Sequence, residues 1–169
     1  IIATGSSPKK LPVPEERNFE ARGIHYCAVC DGALYEGKKI AVIGGGNTAL
    51  EEALYLSKFG KVTMIRRHDY FNGEKYVLDK VLKNNNIQIL WNEDIKHVKG
   101  KERVESVVIE NTKTKEINEI AMDCVFVSIG TIPKTDLFKE YIKLSNTGNI
   151  ITDENMQTNI KGVYAAGDV

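Results

Sequence analysis

Lys39 to Ile43 is a short apolar run that ends in Gly44-Gly45-Gly46. Thr48 to Phe59 then places Ala49, Leu50, Ala53, Leu54 and Leu56 at helical spacing, and Gly60 stops the pattern. Lys61 to Ile65 is a second apolar run. Strand, glycine turn, helix and strand make a βαβ unit of ordinary length. Parallel strands need such a crossover, and a parallel sheet needs cover on both faces, so this one unit constrains the architecture of everything around it. Gly44, Gly46 and Ala49 also fit the pattern G-x-G-x-x-G/A in its required setting, strand before and helix after. The glycines allow a tight turn and close backbone approach. The helix amides that follow, with the helix dipole behind them, favour a pyrophosphate. Gly44, Gly46, Asn47, Thr48 and Ala49 are therefore candidate nucleotide-binding residues, against the alternative of a glycine turn without a ligand.

The rest of the chain extends this pattern. Residues 1 to 20 read as a strand end and a connection marked by Pro8, Pro12 and Pro14. Glu74 to Lys83 is a second amphipathic helix, ended by Asn84-Asn85-Asn86, and Ile87 to Trp91 is a third strand. Ile95 to Val98, Arg103 to Glu110 and Glu116 to Ala121 alternate between polar turns, which predicts an antiparallel meander. Asp123 to Ile129 is nearly all apolar, the habit of a strand buried on both faces. Asp136 to Ile142 reads as a short helix; Asn149 to Thr152 and Gly162 to Ala166 read as strands. The expected fold is α/β: a Rossmann-like, three-layer nucleotide-binding domain with a parallel sheet plus an antiparallel β-meander.

About a dozen residues before the glycine turn stands Cys27-Ala28-Val29-Cys30-Asp31-Gly32. A C-x-x-C pair reads as a redox dithiol, as half of a zinc site, or as two structural thiols. Zinc needs two more ligands, and Cys124, His25, His68 and His97 show no paired spacing. Two intervening residues bring the sulfurs to bonding distance, and a helix N-terminus favours the thiolate. The redox reading is preferred. Asp31 beside a thiolate would disfavour it by like charge, which suits Asp31 better as a proton donor and acceptor than as an activator. Asp31-Gly32 is also good turn chemistry. Cys124, in Asp123-Cys124-Val125-Phe126-Val127, reads as plain core.

At the end of the second strand, where an acidic residue would hold the ribose hydroxyls of NAD, the chain has Ile65-Arg66-Arg67-His68. Arg66 and Arg67 suit a 2′-phosphate instead, with a solvated basic strand end as the alternative. The charges balance, 23 basic against 23 acidic, so no nucleic acid or anionic membrane is expected as partner. No apolar run approaches the roughly 20 residues of a membrane span. Three cysteines among 169 residues argue against a secreted disulfide scaffold and fit a cytoplasmic protein with one redox site and no metal. The chain opens on Ile1-Ile2-Ala3-Thr4-Gly5 with no initiator Met and closes on Ala166-Gly167-Asp168-Val169, and it is expected to be an internal segment of something longer.

Cys27 to Gly32, Gly44 to Ala53, Arg66-Arg67 and Gly162-Val163-Tyr164-Ala165-Ala166-Gly167-Asp168 together resemble bacterial-type, low molecular weight thioredoxin reductase, in the same order and over essentially the whole chain. The family pattern C-A-T-C-D-G stands here as C-A-V-C-D-G, and G-G-G-D-S-A as G-G-G-N-T-A. The resemblance implies a discontinuous FAD domain with an NADPH domain inserted into it. Residues 1–11 would end the first FAD half, 12–132 would form the NADPH domain with the dithiol, and 133–169 would open the second FAD half. It implies hydride transfer from NADPH to FAD, reduction of the Cys27–Cys30 disulfide with Asp31 as acid/base and Cys30 nearer the flavin, and exchange with thioredoxin. It assigns Thr4, Gly5, Gly130, Gly167 and Asp168 to the cofactors, with Asp168 at the ribityl chain. It also implies a homodimer and a rotation of one domain against the other about connecting strands near Pro12 to Pro14 and Gly130 to Thr135. The segment alone, lacking most of the flavin site, is expected to be inactive. The chain departs from the family after its second strand: Ile65 stands where the family has His, and Asp69-Tyr70-Phe71-Asn72-Gly73 holds no third Arg. Two other readings therefore stand beside the first: a flavin disulfide reductase fed by ferredoxin or another donor or serving another acceptor, and a non-catalytic nucleotide-binding module.

Overall fold

The computed structural model describes residues 1–169. In chain order its elements are β1 (Ser6–Pro8), α1 (Glu16–Phe19), β2 (Ile24–His25), α2 (Ala28–Asp31), a 3₁₀ turn (Gly32–Tyr35), β3 (Lys39–Gly44), α3 (Asn47–Leu56), β4 (Lys61–Arg66), α4 (Lys75–Leu82), β5 (Ile87–Trp91), β6 (Glu93–Lys99), β7 (Ser106–Asn111), β8 (Ile117–Ala121), β9 (Cys124–Ser128) and β10 (Thr131–Pro133). They fall into two compact units, one of residues 10–129 and one of residues 1–9 with 130–169.

The larger unit has three layers. Its centre is a parallel sheet in the order β2-β9-β3-β4-β5. The alternation of side chains along each strand explains the layering. In β3, Ile40 and Val42 face one core, with Ala49, Leu50, Ala53 and Leu56 of α3 and Val81 of α4. Ala41 and Ile43, one residue out of phase, face the other core, with Ile95, Val98, Val107 and Ile109 of the antiparallel sheet β6-β7-β8. A strand covered on both sides has no polar face to display, and the unbroken apolar runs of β3, β4 and β9 follow from that. The expected α/β architecture, parallel sheet plus meander, is the one observed.

In the smaller unit β1 pairs antiparallel with β10, and Ile2, Ile142, Ile150, Ala165 and Val169 form a separate small core. The short helix expected at Asp136 to Ile142 is a set of turns, in which Phe138 accepts at its carbonyl from both Tyr141 and Ile142. Seven residues are too few to repay helix nucleation without a packed face, and Leu137 and Tyr141 lie exposed. Asn149 to Thr152 and Gly162 to Ala166 contribute isolated bridges, Leu144 to Ile150, Gln157 to Tyr164 and Ile2 to Ala165, in place of strands. The antiparallel pair is built from Ser6–Pro8, before Pro12, with Thr131–Pro133.

Candidate functional site

Cys27 and Cys30 are joined as a disulfide with their Cα atoms 5.3 Å apart. Extended backbone at Cys27 makes it the N-cap of α2, and its sulfur accepts from the Cys30 N–H at 3.2 Å. In the reduced state an N–H aimed at that position favours the thiolate, as does the start of a helix. Ala28, in the same turn, is buried in the core shared with Ala49 and Ala53 of α3, which fixes the dithiol turn against the helix that follows the glycine turn.

Asp31 ends α2, and its carboxylate lies 2.9 Å from Nδ1 of buried His25. The other ring nitrogen of His25 lies 2.8 Å from the Tyr35 hydroxyl. Burial pushes the Tyr35 pKa up to about 12. Cys124 is fully buried, and burial, with the Asp123 charge adding to it, raises its thiol well above the ordinary value.

The glycine turn connects β3 to α3. Gly44 has φ +153°, and a Cβ there would stand 2.3 Å from the Ser128 carbonyl oxygen of β9, so no side chain fits. A Cβ on Gly45 would meet the Arg66 guanidinium at 2.3 Å. Gly46, Asn47 and Thr48 are exposed, and nothing lies within 4 Å of the place a Gly46 Cβ would take. Gly46 caps α3 with no side-chain hydrogen bond, so no capping side chain occupies the start of the helix. The Asn47 side chain is committed to the Glu74 N–H at 2.6 Å. This is a cradle with room for an anionic group at the start of a helix.

The two arginines part company. Arg66 is buried, donates from Nε to the Tyr70 carbonyl at 2.9 Å and lies over the Tyr70 ring. Burial lowers its pKa from the ordinary value. Arg67 is exposed and free to reach a ligand. Thr4, Gly5, Gly130, Gly167 and Asp168 belong to the smaller unit. There Thr4 donates to the Lys134 carbonyl at 2.7 Å, Gly5 and Gly130 have positive φ, and Gly167 (φ +82°) and Asp168 lie exposed on its last turn.

Sequence reasoning weighed His25 only as a metal ligand and missed Tyr35, Glu52 and Ser128. The Glu52 carboxyl, on α3, pairs with the Ser128 hydroxyl and faces the backbone N–H of Ala28. Burial raises its pKa, and these two donors oppose the rise. The signal for His25 was its place two residues before Cys27. Glu52 and Ser128 are 76 residues apart and carry no local signal.

A C-x-x-C disulfide packed against the helix that follows a glycine turn narrows the family, and the comparisons with known proteins decide it. The profile for pyridine nucleotide-disulphide oxidoreductases matches residues 1–169. The chain belongs to that family. Among its relatives, a 34.2 kDa protein in the rubredoxin operon of Clostridium pasteurianum is 49% identical over 170 residues, covering 100% of this chain and 55% of the relative. A thioredoxin reductase of Peptoclostridium acidaminophilum is 43% identical over 176 residues, 100% of this chain and 56% of its own length. The crystal structure of Lactococcus lactis thioredoxin reductase in the FR conformation superposes with a TM-score of 0.94 at 40% identity, covering 99% of this chain and 56% of that one. Thioredoxin reductase of T. acidophilum gives 0.93 at 35% identity, over 99% and 56%. The chain thus spans about half the length of the curated relatives it matches. The three-layer unit, the C-x-x-C disulfide and the glycine turn are this member's share of the pyridine nucleotide-disulphide oxidoreductase fold. No helix in it is long and apolar enough to cross a membrane.

Proposed function

We propose that this chain is the nicotinamide- and dithiol-bearing part of an NADPH-dependent, FAD-containing thioredoxin reductase that works as a cytoplasmic homodimer. The observation that carries the reading is the Cys27–Cys30 disulfide at the start of α2, packed through Ala28 onto the helix that opens from the glycine cradle. Family membership and the thioredoxin reductases among the relatives support it.

In this reading residues 12–132 form the NADPH domain, and residues 1–11 and 133–169 are parts of a divided FAD domain. The cradle of Gly44, Gly46, Asn47, Thr48 and Ala49 holds the NADPH pyrophosphate on backbone amides. Arg67 reads the 2′-phosphate, and Arg66 supports the turn from beneath Gly45. Thr4, Gly5, Gly130, Gly167 and Asp168 contribute to the flavin site. Bound flavin would supply a carrier that accepts hydride from NADPH and passes two electrons to a disulfide. The chain's own work is then to present the Cys27–Cys30 bond, to supply a proton from Asp31 as that bond breaks, and to exchange the resulting dithiol with the disulfide of thioredoxin.

Steady-state turnover of the full-length flavoprotein with oxidised thioredoxin tests this. NADPH is expected to exceed NADH in kcat/KM by about a hundredfold, the worth of roughly 2.7 kcal/mol in charged hydrogen bonds to a phosphate. Turnover with reduced ferredoxin and none with NADPH would instead identify a different donor.

A further inference from the structure

None of the chemistry above uses His25, although it is the buried titratable group in direct contact with Asp31. Four pieces of the larger unit converge on its imidazole. β2 supplies the residue itself, which is 6% exposed. The end of α2 supplies Asp31, 2.9 Å from Nδ1. The following 3₁₀ turn supplies Tyr35, its hydroxyl 2.8 Å from Nε2. β9 supplies Phe126, stacked on the ring at 5.3 Å between centroids and 26° between planes. An ionised carboxylate only accepts, so Nδ1 donates to Asp31, and Nε2 of the neutral ring is left to accept from the Tyr35 O–H. The raised Tyr35 pKa keeps that phenol a donor across the physiological range. Each contact therefore has one polarity, Tyr35 to His25 to Asp31.

We infer that His25, braced by Tyr35 and Phe126, is a positioning residue that fixes the Asp31 carboxyl in the orientation for proton exchange with the Cys27–Cys30 pair. The inference rests on the reading of that pair as the redox station. One carboxyl oxygen, Oδ2, is held by His25; the other is left to carry the mobile proton. Bound flavin would supply the two electrons that break the S–S bond; the protonated form of Asp31 then passes its proton to one sulfur, and the second sulfur stays a thiolate until it takes a proton from water. Asp31 recovers its proton from water, and His25 keeps its Nδ1 proton throughout. An aspartate with two free torsions and no such partner would spend much of its time turned away from the sulfur, and misplacement of this kind slows a proton transfer.

The charged and titratable groups around this chain are Cys27 and Cys30 on α2, Glu52 of α3 at the Ala28 amide, Asp123 and Cys124 at the start of β9, and Arg103 beyond Tyr35. His25 and Tyr35 also line a cavity of about 590 Å³ with Arg22, Leu34, Glu102 and Arg103, which gives a small molecule access to the position of the ring.

The test uses the full-length flavoprotein and its His25→Leu, His25→Asn, His25→Ala and Tyr35→Phe variants, each checked by melting temperature. The readouts are the rate of disulfide reduction by the reduced flavin against pH, and the pH dependence of thiol alkylation after chemical reduction. His25→Leu is expected to slow reduction about tenfold, the worth of one hydrogen bond to a charged group. It should also change the pH dependence of both profiles, a readout that lost packing alone would leave unmoved, because the carboxyl then faces the sulfur pair without its N–H partner. His25→Asn, with an amide N–H near the place of Nδ1, should recover most of the rate. Added imidazole should rescue His25→Ala, and Tyr35→Phe should fall between wild type and His25→Leu. Unchanged profiles in His25→Leu and Tyr35→Phe, or equal losses in Leu and Asn variants with no rescue by imidazole, would overturn the inference. Should His25→Leu fail to fold, the imidazole and Tyr35→Phe results decide. The alkylation profile needs neither nicotinamide nor thioredoxin, so it can fail while the functional reading stands; wild-type enzyme inert toward thioredoxin would be the failure of that reading instead.

Discussion

Cys27, Cys30 and Cys124 share a side chain and differ in surroundings. The first two lie at the start of a short helix, partly open to solvent, while Cys124 is sealed in a β-strand with its thiol pKa pushed up by burial. Alkylation after reduction is therefore expected to modify two thiols in the native protein and the third only in denaturant, as read by mass spectrometry. Arg66 and Arg67 make the same point with the opposite lesson for reading sequences. Side by side in the chain they look equivalent. Successive strand residues point to opposite faces, and Arg66 turns into the space that Gly45 leaves by having no side chain. That contact joins positions 21 residues apart and has no local signature. Arg67→Gln is expected to abolish most of the roughly hundredfold NADPH over NADH preference in kcat/KM with an unchanged melting temperature. Arg66→Gln should lower the melting temperature, because it removes a buried hydrogen bond to the Tyr70 carbonyl.

The glycine turn separates two kinds of requirement within one element. Gly44→Ala forces a Cβ against the Ser128 carbonyl at a φ that side chains rarely adopt, and is expected to cost about 1–3 kcal/mol of stability in denaturant unfolding. Gly46→Ala meets no protein atom, so stability should hold; in the proposed reading the nucleotide takes that space, and calorimetry should show weakened NADPH binding. The junction of α2, α3 and β9 at Glu52 predicts a pH effect. Burial raises this carboxyl above its unfolded value of 4.5, so the unfolded state gives up its proton first. Glu52 thus detracts from stability as pH rises past that value, and the stability gained by Glu52→Gln should grow from acid to neutral pH in parallel unfolding titrations.

Elements with strong periodicity, β3, α3, β4, α4 and the meander, were legible because two cores covering one sheet impose an apolar pattern on each. Elements without such a face were not. β2 is two residues long and is held by pairing with β9, a partner about 100 residues away in sequence. The turns at Asp136 to Ile142 carry helix-like residues but bury only part of one side. The site divides the same way: the cysteines and glycines announce themselves, whereas His25, Tyr35 and Glu52 depend on what the fold brings to them.

At the scale of the whole molecule the chain is two compact units, one of them discontinuous in sequence, and it spans about half the length of its curated relatives. In the proposed enzyme, electrons reach thioredoxin only through the Cys27–Cys30 bond. Rapid-mixing kinetics of the full-length flavoprotein and its Cys30→Ser variant tests that claim most directly. The account predicts that NADPH reduces the flavin of both proteins at similar rates, while reduction of thioredoxin falls by at least about a thousandfold in the variant, as expected when a covalent intermediate is lost. Thioredoxin turnover that survives in Cys30→Ser would contradict it.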